Sequence, residues 1–482
     1  MNRFNLSSGN SNPINLSTKL AYGVGEFTSE VTGSILVFFF LFFLTNVAGL
    51  DAGLAGTILL VGKIWDAVND PIIGWLSDRT QSRWGRRYPW MAIAAIPFGI
   101  CFALLWWVPS TSSQAGLFVY YCAIALIYHV AFTAVVLPYT TLGSELTEHY
   151  DERTSLVSYK AGFSMGGNIL GILITLGIFS LIENPEQKYL IVGTIGGAIA
   201  SLSVYLSIWG TRERFFKVQQ KRQQSSRSSS LPLLQQVRIV LSNRPFLLLV
   251  GLYLCSWLGV QVTGNMLSYF VTSWMQLPET HIPGMALAVL GTGLVMMVLW
   301  SYLGKRLGKR ITYCLAVPLT LIAQVGLFFL QPGQVVAMYG VGMLAGAGLA
   351  VAYFIPWSML PDVIDLDELK TGQRREGIFY GFMVHLQKVG IAIAIFSVGK
   401  VLDFAGFVSS SGEQATPTQP DSALLAIRWL IGPIPSVVLI GGMILAFLYP
   451  ITRPVHEDIL LKLSERKNQV DQPEAPSDSY ET

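Results

Sequence analysis

Long apolar runs separated by short polar ones dominate this chain from end to end. A helix needs about 20 apolar residues to cross the hydrocarbon core of a bilayer, which is longer than a core helix of a soluble domain usually requires. On that basis the pattern predicts twelve spanning helices. Six fall at 20–46, 53–77, 90–109, 115–142, 155–182 and 189–210, and six more at 245–273, 283–304, 311–331, 334–361, 376–406 and 421–449. The predicted organisation is a polar N-terminal segment (1–18), a first six-helix half (19–211), a polar linker (212–244), a second half (245–450) and a tail (451–482). The linker contains the run Gln223-Gln224-Ser225-Ser226-Arg227-Ser228-Ser229-Ser230 and reads as a tether. From Arg453 the chain is polar, with Pro, Glu, Asp and Ser gathered near its end, and reads as disordered. The first apolar run is too long for the core of a signal peptide, so no cleavable leader is expected.

Composition agrees with the pattern. The 482 residues are 52% hydrophobic and 13% charged, where a soluble domain carries about 25% charged residues. Such a chain must cover much of its surface with lipid. The net charge of +3 matters less than its placement. Arg79, Arg83, Arg86, Arg87, Arg153, the basic residues from Arg212 to Arg244, Lys305, Arg306, Lys309, Arg310, Lys370, Arg374 and Arg375 fall in alternate loops. The intervening loops hold only Lys188. The positive-inside rule then places both termini in the cytoplasm. Cys101, Cys122, Cys255 and Cys314 lie in apolar stretches without metal-ligand spacing and read as small buried hydrophobes.

The two halves echo each other. Gly74-Trp75-Leu76-Ser77-Asp78-Arg79 ends the second span, and Ser301-Tyr302-Leu303-Gly304-Lys305-Arg306 ends the eighth, 227 positions later. Leu137-Pro138-Tyr139-Thr140 in the fourth span resembles Ile355-Pro356-Trp357-Ser358 in the tenth. Parallel six-helix repeats are the plan of carriers that rock about a site between their halves.

Charges inside the predicted membrane segments are costly, about 2.5–3.5 kcal/mol each on insertion scales. Asp66 and Asp70 lie four residues apart in the second span, with Asn69 beside them. That spacing puts both carboxylates on one helix face, where they repel each other and require a proton, a cation or a basic partner. Oxygen-rich clusters of this kind suit Na⁺ or a transferable proton. The equivalent positions in the second half are Gly293 and Met297, which argues against a purely architectural role. Glu26 and Glu30 share a face of the first span. Lys160 in the fifth and Lys388 in the eleventh are candidates to pair with these acids or to bind a substrate, and Lys63 and Lys400 read as snorkelling residues.

Tyr353 and Trp357 are spaced to form an aromatic platform on the tenth span. Asp78 sits among Arg79, Arg83, Arg86 and Arg87 in a tight loop. This reads as a latch that pairs in one conformation and parts in another. No nucleophile–base pair, metal-ligand spacing or phosphate loop is present, so no enzyme and no cofactor are expected. His129, His149, His281, His385 and His456 are scattered and read as structural or solvated.

Several strings look familiar. Lys63-Ile64-Trp65-Asp66-Ala67-Val68-Asn69-Asp70-Pro71-Ile72-Ile73-Gly74, followed by Ser82-Arg83-Trp84-Gly85-Arg86-Arg87, resembles the glycoside–pentoside–hexuronide:cation symporters of the major facilitator superfamily, the family of melibiose permease. Tyr22-Gly23-Val24-Gly25, Pro361-Asp362-Val363-Ile364-Asp365 and Arg374-Arg375-Glu376-Gly377 match further family segments, and the similarity spans nearly the whole chain. The resemblance implies a fold of twelve helices in two halves. It implies a cation site for Na⁺ or H⁺ at Asp66, Asn69, Asp70 and Thr133, linked to Lys388. It also implies a sugar-like small-molecule cargo bound by Glu30, Lys160, Tyr353 and Lys388, to which the platform reading adds Trp357, and the latch reading takes in Asp78, Arg83, Arg86, Arg87, Asp362, Arg374 and Arg375. The expected partners are the cargo, the coupling cation and the bilayer, with no nucleic acid, and the expected state is a monomer. Two family positions differ: an acid in the fourth span is Val136 here and a tryptophan is Thr140. A superfamily relative that carries lysolipids is similar in the second span too, so a less polar cargo stays open, as does a non-transporting sensor or scaffold.

Overall fold

The structure, a computed structural model, describes residues 14–110, 113–147, 150–222, 233–410 and 417–470. Its regular elements are helical throughout. In the first half they are α1 (Leu16–Asn46), α2 (Ala52–Arg79), α3 (Tyr88–Leu104), α4 (Gln114–Glu145), α5 (Tyr150–Leu181) and α6 (Pro185–Arg222). In the second they are α7 (Arg244–Trp274), α8 (His281–Leu307), α9 (Lys309–Phe329), α10 (Val335–Thr371), α11 (Glu376–Phe404) and α12 (Asp421–Leu448). Ten of these are long and apolar enough to cross a membrane. The exceptions are α3, which is apolar but has 17 residues, and α2, whose 28 residues are interrupted by Lys63, Asp66 and Asp70. The protein is an integral membrane protein. Large apolar side chains such as Ile93, Leu181, Trp209, Val336 and Phe404 stand exposed on its flank, where hydrocarbon rather than water must cover them.

Two expectations about the polar segments require correction. The tail from Arg453 is not disordered throughout: Arg453–Val470 forms a helix that lays Ile459 and Leu463 against the end of α10. The polar composition concealed those two apolar anchors, spaced one turn apart. The linker is also partly ordered, because α6 runs on to Arg222 and a short helix occupies Leu233–Ser242. The Ser-rich run from Gln223 to Ser230 and the Pro- and Ser-rich end beyond Val470 lie outside the described residues.

α1 is interrupted where the sequence reads Gly23-Val24-Gly25. The Glu26 amide turns to the Gly23 carbonyl, and the Tyr22 carbonyl accepts instead from the Tyr139 hydroxyl of α4 at 2.7 Å. A Cβ on Gly25 would fall 2.4 Å from the Tyr139 ring, so a glycine is needed for that approach. This break sets the direction in which Glu26 and Glu30 leave the helix. Further on, α1 widens into a π-type turn at Leu36–Phe40, and α7 does the same at Phe270–Trp274. The leading helix of each half thus carries the same irregularity, consistent with the repeat.

The halves meet at the end opposite the basic loops. There Thr45 and Tyr269 share a hydrogen bond of 2.7 Å. Ser410 donates its amide to the Thr45 carbonyl at 3.0 Å and its hydroxyl to that of Asn46 at 3.1 Å. α2 and α11 touch backbone to backbone at Gly56 and Gly399, where a Cβ on Gly399 would lie 2.8 Å from the Gly56 Cα. At the basic end the charged residues pair inside their own half. Arg87 reaches Asp78 at 2.6 Å, and both Arg86 (2.6 Å) and Arg87 (3.3 Å) reach Glu145 of α4. Across the second half, Lys309 pairs with Asp362 (2.7 Å), Arg374 with Asp365 (3.2 Å) and Glu368 (2.7 Å), and Arg375 with Asp367 (2.7 Å). Arg83 stands exposed outside the first cluster. Among the described residues the seam contacts thus gather at the first end while the ion pairs of the basic end stay within one half, an arrangement that reads as sealed at one end and parted at the other.

Candidate functional site

The face of α2 that carries Asp66, Asn69 and Asp70 turns inward, away from the exposed flank of Ile64, Trp65, Val68 and Ile72. α4 brings Thr133 to it, with the hydroxyl 3.1 Å from an oxygen of Asp66 and 3.1 Å from one of Asp70. The Asn69 side chain donates to the His129 carbonyl at 3.3 Å. From the other half, Lys388 on α11 places its ammonium 3.0 Å from Asp66 and 2.5 Å from Asp70. One cation held in common by two carboxylates answers the repulsion that the four-residue spacing creates. Asp66 is 1% exposed, whereas Asp70 (14%) and Lys388 (20%) keep an opening to the space between the halves.

The expected set Asp66, Asn69, Asp70, Thr133 and Lys388 therefore converges at one point. Two neighbours were missed. His129, read as structural, sits one turn before Thr133 with Nδ1 3.7 Å from Asp66. Its four-residue offset from Thr133 was the available signal. Lys63 does not snorkel away but lies within electrostatic reach of both acids.

A second polar cluster forms between α1 and α5. Lys160 lies 3.5 Å from Glu26, and Glu30 accepts from the Asn168 amide at 2.5 Å. Lys160, Ser164 and Asn168 recur every fourth residue and share one face of α5, a periodicity that could have exposed Asn168 in the sequence. Trp357 packs against Tyr253 (5.6 Å between ring centroids) and Tyr380 (6.2 Å), within the second half, so the structure does not bring it to Glu30 or Lys160. Tyr353 lies one turn earlier on α10, and its side chain is outside the described residues. On α4, Thr133, Val136 and Thr140 share one face, the face that carries Thr133 to Asp66 and Asp70, and Thr140 is exposed. Among the described residues no three His, Cys, Asp or Glu side chains converge as a metal site. An ion at this point would be held by two carboxylates and neutral oxygens.

Comparison with known proteins agrees with this arrangement. The sequence profile of the family described as MFS/sugar transport protein matches residues 21–453. An uncharacterized symporter of Synechocystis is 43% identical over 94% of this chain and 97% of its own length. A putative glycoside/cation symporter of Escherichia coli is 28% identical over 91% of this chain and 93% of its own length. The mouse sodium-dependent lysophosphatidylcholine symporter 1 is 26% identical over 91% and 86%. The crystal structure of the nucleoside transporter NupG superposes with a TM-score of 0.62 at 13% identity, covering 90% of this chain and 98% of that one. The chain belongs to the MFS/sugar transport protein family, and with it to the transporters of the major facilitator superfamily.

Proposed function

We propose that the chain is a symporter of the glycoside–pentoside–hexuronide:cation type, carrying a sugar-like, hydroxyl-rich solute together with Na⁺ or H⁺. The observation that carries this reading is the Lys388 ammonium, which reaches across the seam to bridge Asp66 and Asp70. In this state the lysine is the resident counter-charge. An arriving cation takes over the two carboxylates and frees Lys388 to face the space between the halves. The halves are then no longer tied at that point. Glu30, Lys160 and Asn168, with Glu26 behind them, offer carboxylate, ammonium and amide groups to cargo hydroxyls. Occupancy by both ion and cargo permits rocking, and occupancy by one does not. The charge clusters at Asp78–Arg87–Glu145 and at Lys309–Asp362 with Arg374 and Arg375 act as the latch. Each is paired within its own half when the basic end is parted. The carrier acts as a monomer with its basic end in the cytoplasm.

A second reading is a lysolipid as cargo. An apolar groove of about 450 Å³, lined by Leu20, Phe27, Tyr159, Phe163 and glycines of α5, runs beside the Lys160–Glu26 cluster. Val136 and Thr140 also make the inward face of α4 less polar than the sugar-carrying pattern. The similarity to the lysophosphatidylcholine symporter supports this reading.

Uptake into proteoliposomes, with Na⁺ and pH gradients imposed separately over a panel of glycosides and lysolipids, separates the two. Asp66→Ala and Asp70→Ala each abolish gradient-driven uptake while the protein still reaches the membrane. Undiminished gradient-driven uptake in those variants overturns the coupling role.

A further inference from the structure

We propose that Lys188 and Glu279 form the outer gate of the carrier, an ion pair that closes the end opposite the basic loops when made and opens it when broken. The proposal rests on the rocking mechanism above.

Lys188 stands at the end whose connections hold no Lys or Arg, where a positive charge runs against the topogenic bias. It opens α6 in the first half. Its ammonium lies 2.6 Å from the carboxylate of Glu279, in the α7–α8 connection of the second half. The pair therefore crosses the seam. It is also withdrawn from solvent, the side chains being 9% and 25% exposed. The Tyr189 hydroxyl adds a hydrogen bond to the same carboxylate at 3.3 Å.

The two partners are held differently. The Lys188 ammonium sits over the Phe179 ring at 4.8 Å and the Tyr189 ring at 5.8 Å. Tyr189 is in turn stacked on Trp106 with centroids 5.8 Å apart and 7° between planes. This seat is built wholly from the first half. Glu279 comes from a short connection whose Gln276 takes φ of 55°, a conformation that non-glycine residues rarely adopt. When the halves part, the ammonium keeps its aromatic seat, which stabilises a cation, while the carboxylate moves into water. Neither charge is stranded in a dry interior, so the pair can open and re-form. The other contacts at this end, the hydrogen bonds through Thr45, Tyr269 and Ser410, the Phe42–Tyr269 ring contact and the Gly56–Gly399 packing, carry no charge. The ion pair is the contact there whose single-partner removal leaves a charge uncompensated in the closed state.

The test is conformational and needs neither cargo nor coupling ion. In full-length protein with Cys101, Cys122, Cys255 and Cys314 replaced by Ala, one reporter is Ser410→Cys, buried at the sealed end. The other is Thr140→Cys, exposed toward the parted end. Rates of maleimide alkylation are measured for both. Lys188→Met and Glu279→Gln should each speed labelling at position 410 by about tenfold and slow it at position 140, as a two-state shift requires. The double variant should change no more than the larger single one, because the second substitution removes an interaction already lost. Lys188→Arg should stay near the parent rates. Glu279→Gln, which preserves side-chain shape, carries the test if Lys188→Met fails to fold. Unchanged rates in the single variants overturn the gate. So does acceleration at both reporters, which signals general loosening, and so do effects that multiply in the double variant. None of these outcomes touches the Asp66–Asp70 coupling site, which the uptake assays probe separately.

Discussion

Replacing Lys388 by Met removes the cation that Asp66 and Asp70 share. The ammonium is 3.0 Å from one carboxylate and 2.5 Å from the other, so those two oxygens are no more than about 5.5 Å apart. With an effective dielectric constant of about 20, two like charges at that separation repel by about 3 kcal/mol. In the native protein the lysine cancels this repulsion, and an incoming ion must displace it. In Lys388→Met nothing has to be displaced, and the arriving ion relieves the whole repulsion. Since 1.4 kcal/mol is a factor of ten, the affinity for the coupling ion without cargo should tighten by up to about a hundredfold. Isothermal titration of purified protein with Na⁺ at fixed pH, and proton uptake at fixed Na⁺, measure the two candidate ions directly. Lys388→Arg keeps the charge and should resemble the native protein. Uptake by Lys388→Met should nonetheless fail, because the carboxylates stay occupied by the ion and no ammonium is left there to meet the cargo. If Lys388→Met binds both Na⁺ and protons no more tightly than the native chain, the lysine is not their competitor and the exchange mechanism is refuted.

Two further outcomes are open to measurement. Gly399→Val places a Cβ 2.8 Å from the Gly56 Cα and 2.7 Å from the Ala52 carbonyl. Backbone crowding of this kind costs about 1–3 kcal/mol, so the sealed end should open and outside alkylation at position 410 should rise, whereas native labelling in this variant would contradict a tight α2–α11 seam. Ending the chain after Thr452 removes the C-terminal helix, uncovers the surface that Ile459 and Leu463 cover and deletes His456, which lies 3.1 Å from Asp365. Each buried aliphatic side chain is worth about 1.5–3 kcal/mol, so thermal unfolding in detergent should shift down by several degrees. An unchanged midpoint would mean the helix is not docked in solution.

The residues of the site were legible to very different degrees. Asp66 and Asp70 announced themselves because charge inside a hydrophobic run is expensive and their spacing forces them onto one face. Lys388 stood out for the same reason. That all three meet was not readable, since Asp70 and Lys388 are 318 residues apart and no local periodicity reports a contact across the seam. Lys160 was a candidate partner for both Glu26 and Glu30, and the ion pair it makes is with Glu26, at 3.5 Å. Trp357 met the spacing of a platform yet packs on its own half, since periodicity gives a face without saying what stands opposite. His129 and Asn168 were passed over although His129 sits one helical turn from Thr133 and Asn168 two turns from Lys160.

By itself the sequence determined the membrane class, the succession of helices, the repeat and the cost that demands a counter-charge at Asp66 and Asp70, because all of these follow from hydrophobic run length and local helical spacing. Only the tertiary structure decided which cation answers that demand, which end of the molecule is sealed and where the tail docks. Those depend on how the two halves are tilted against each other, a choice governed by a few contacts between distant segments.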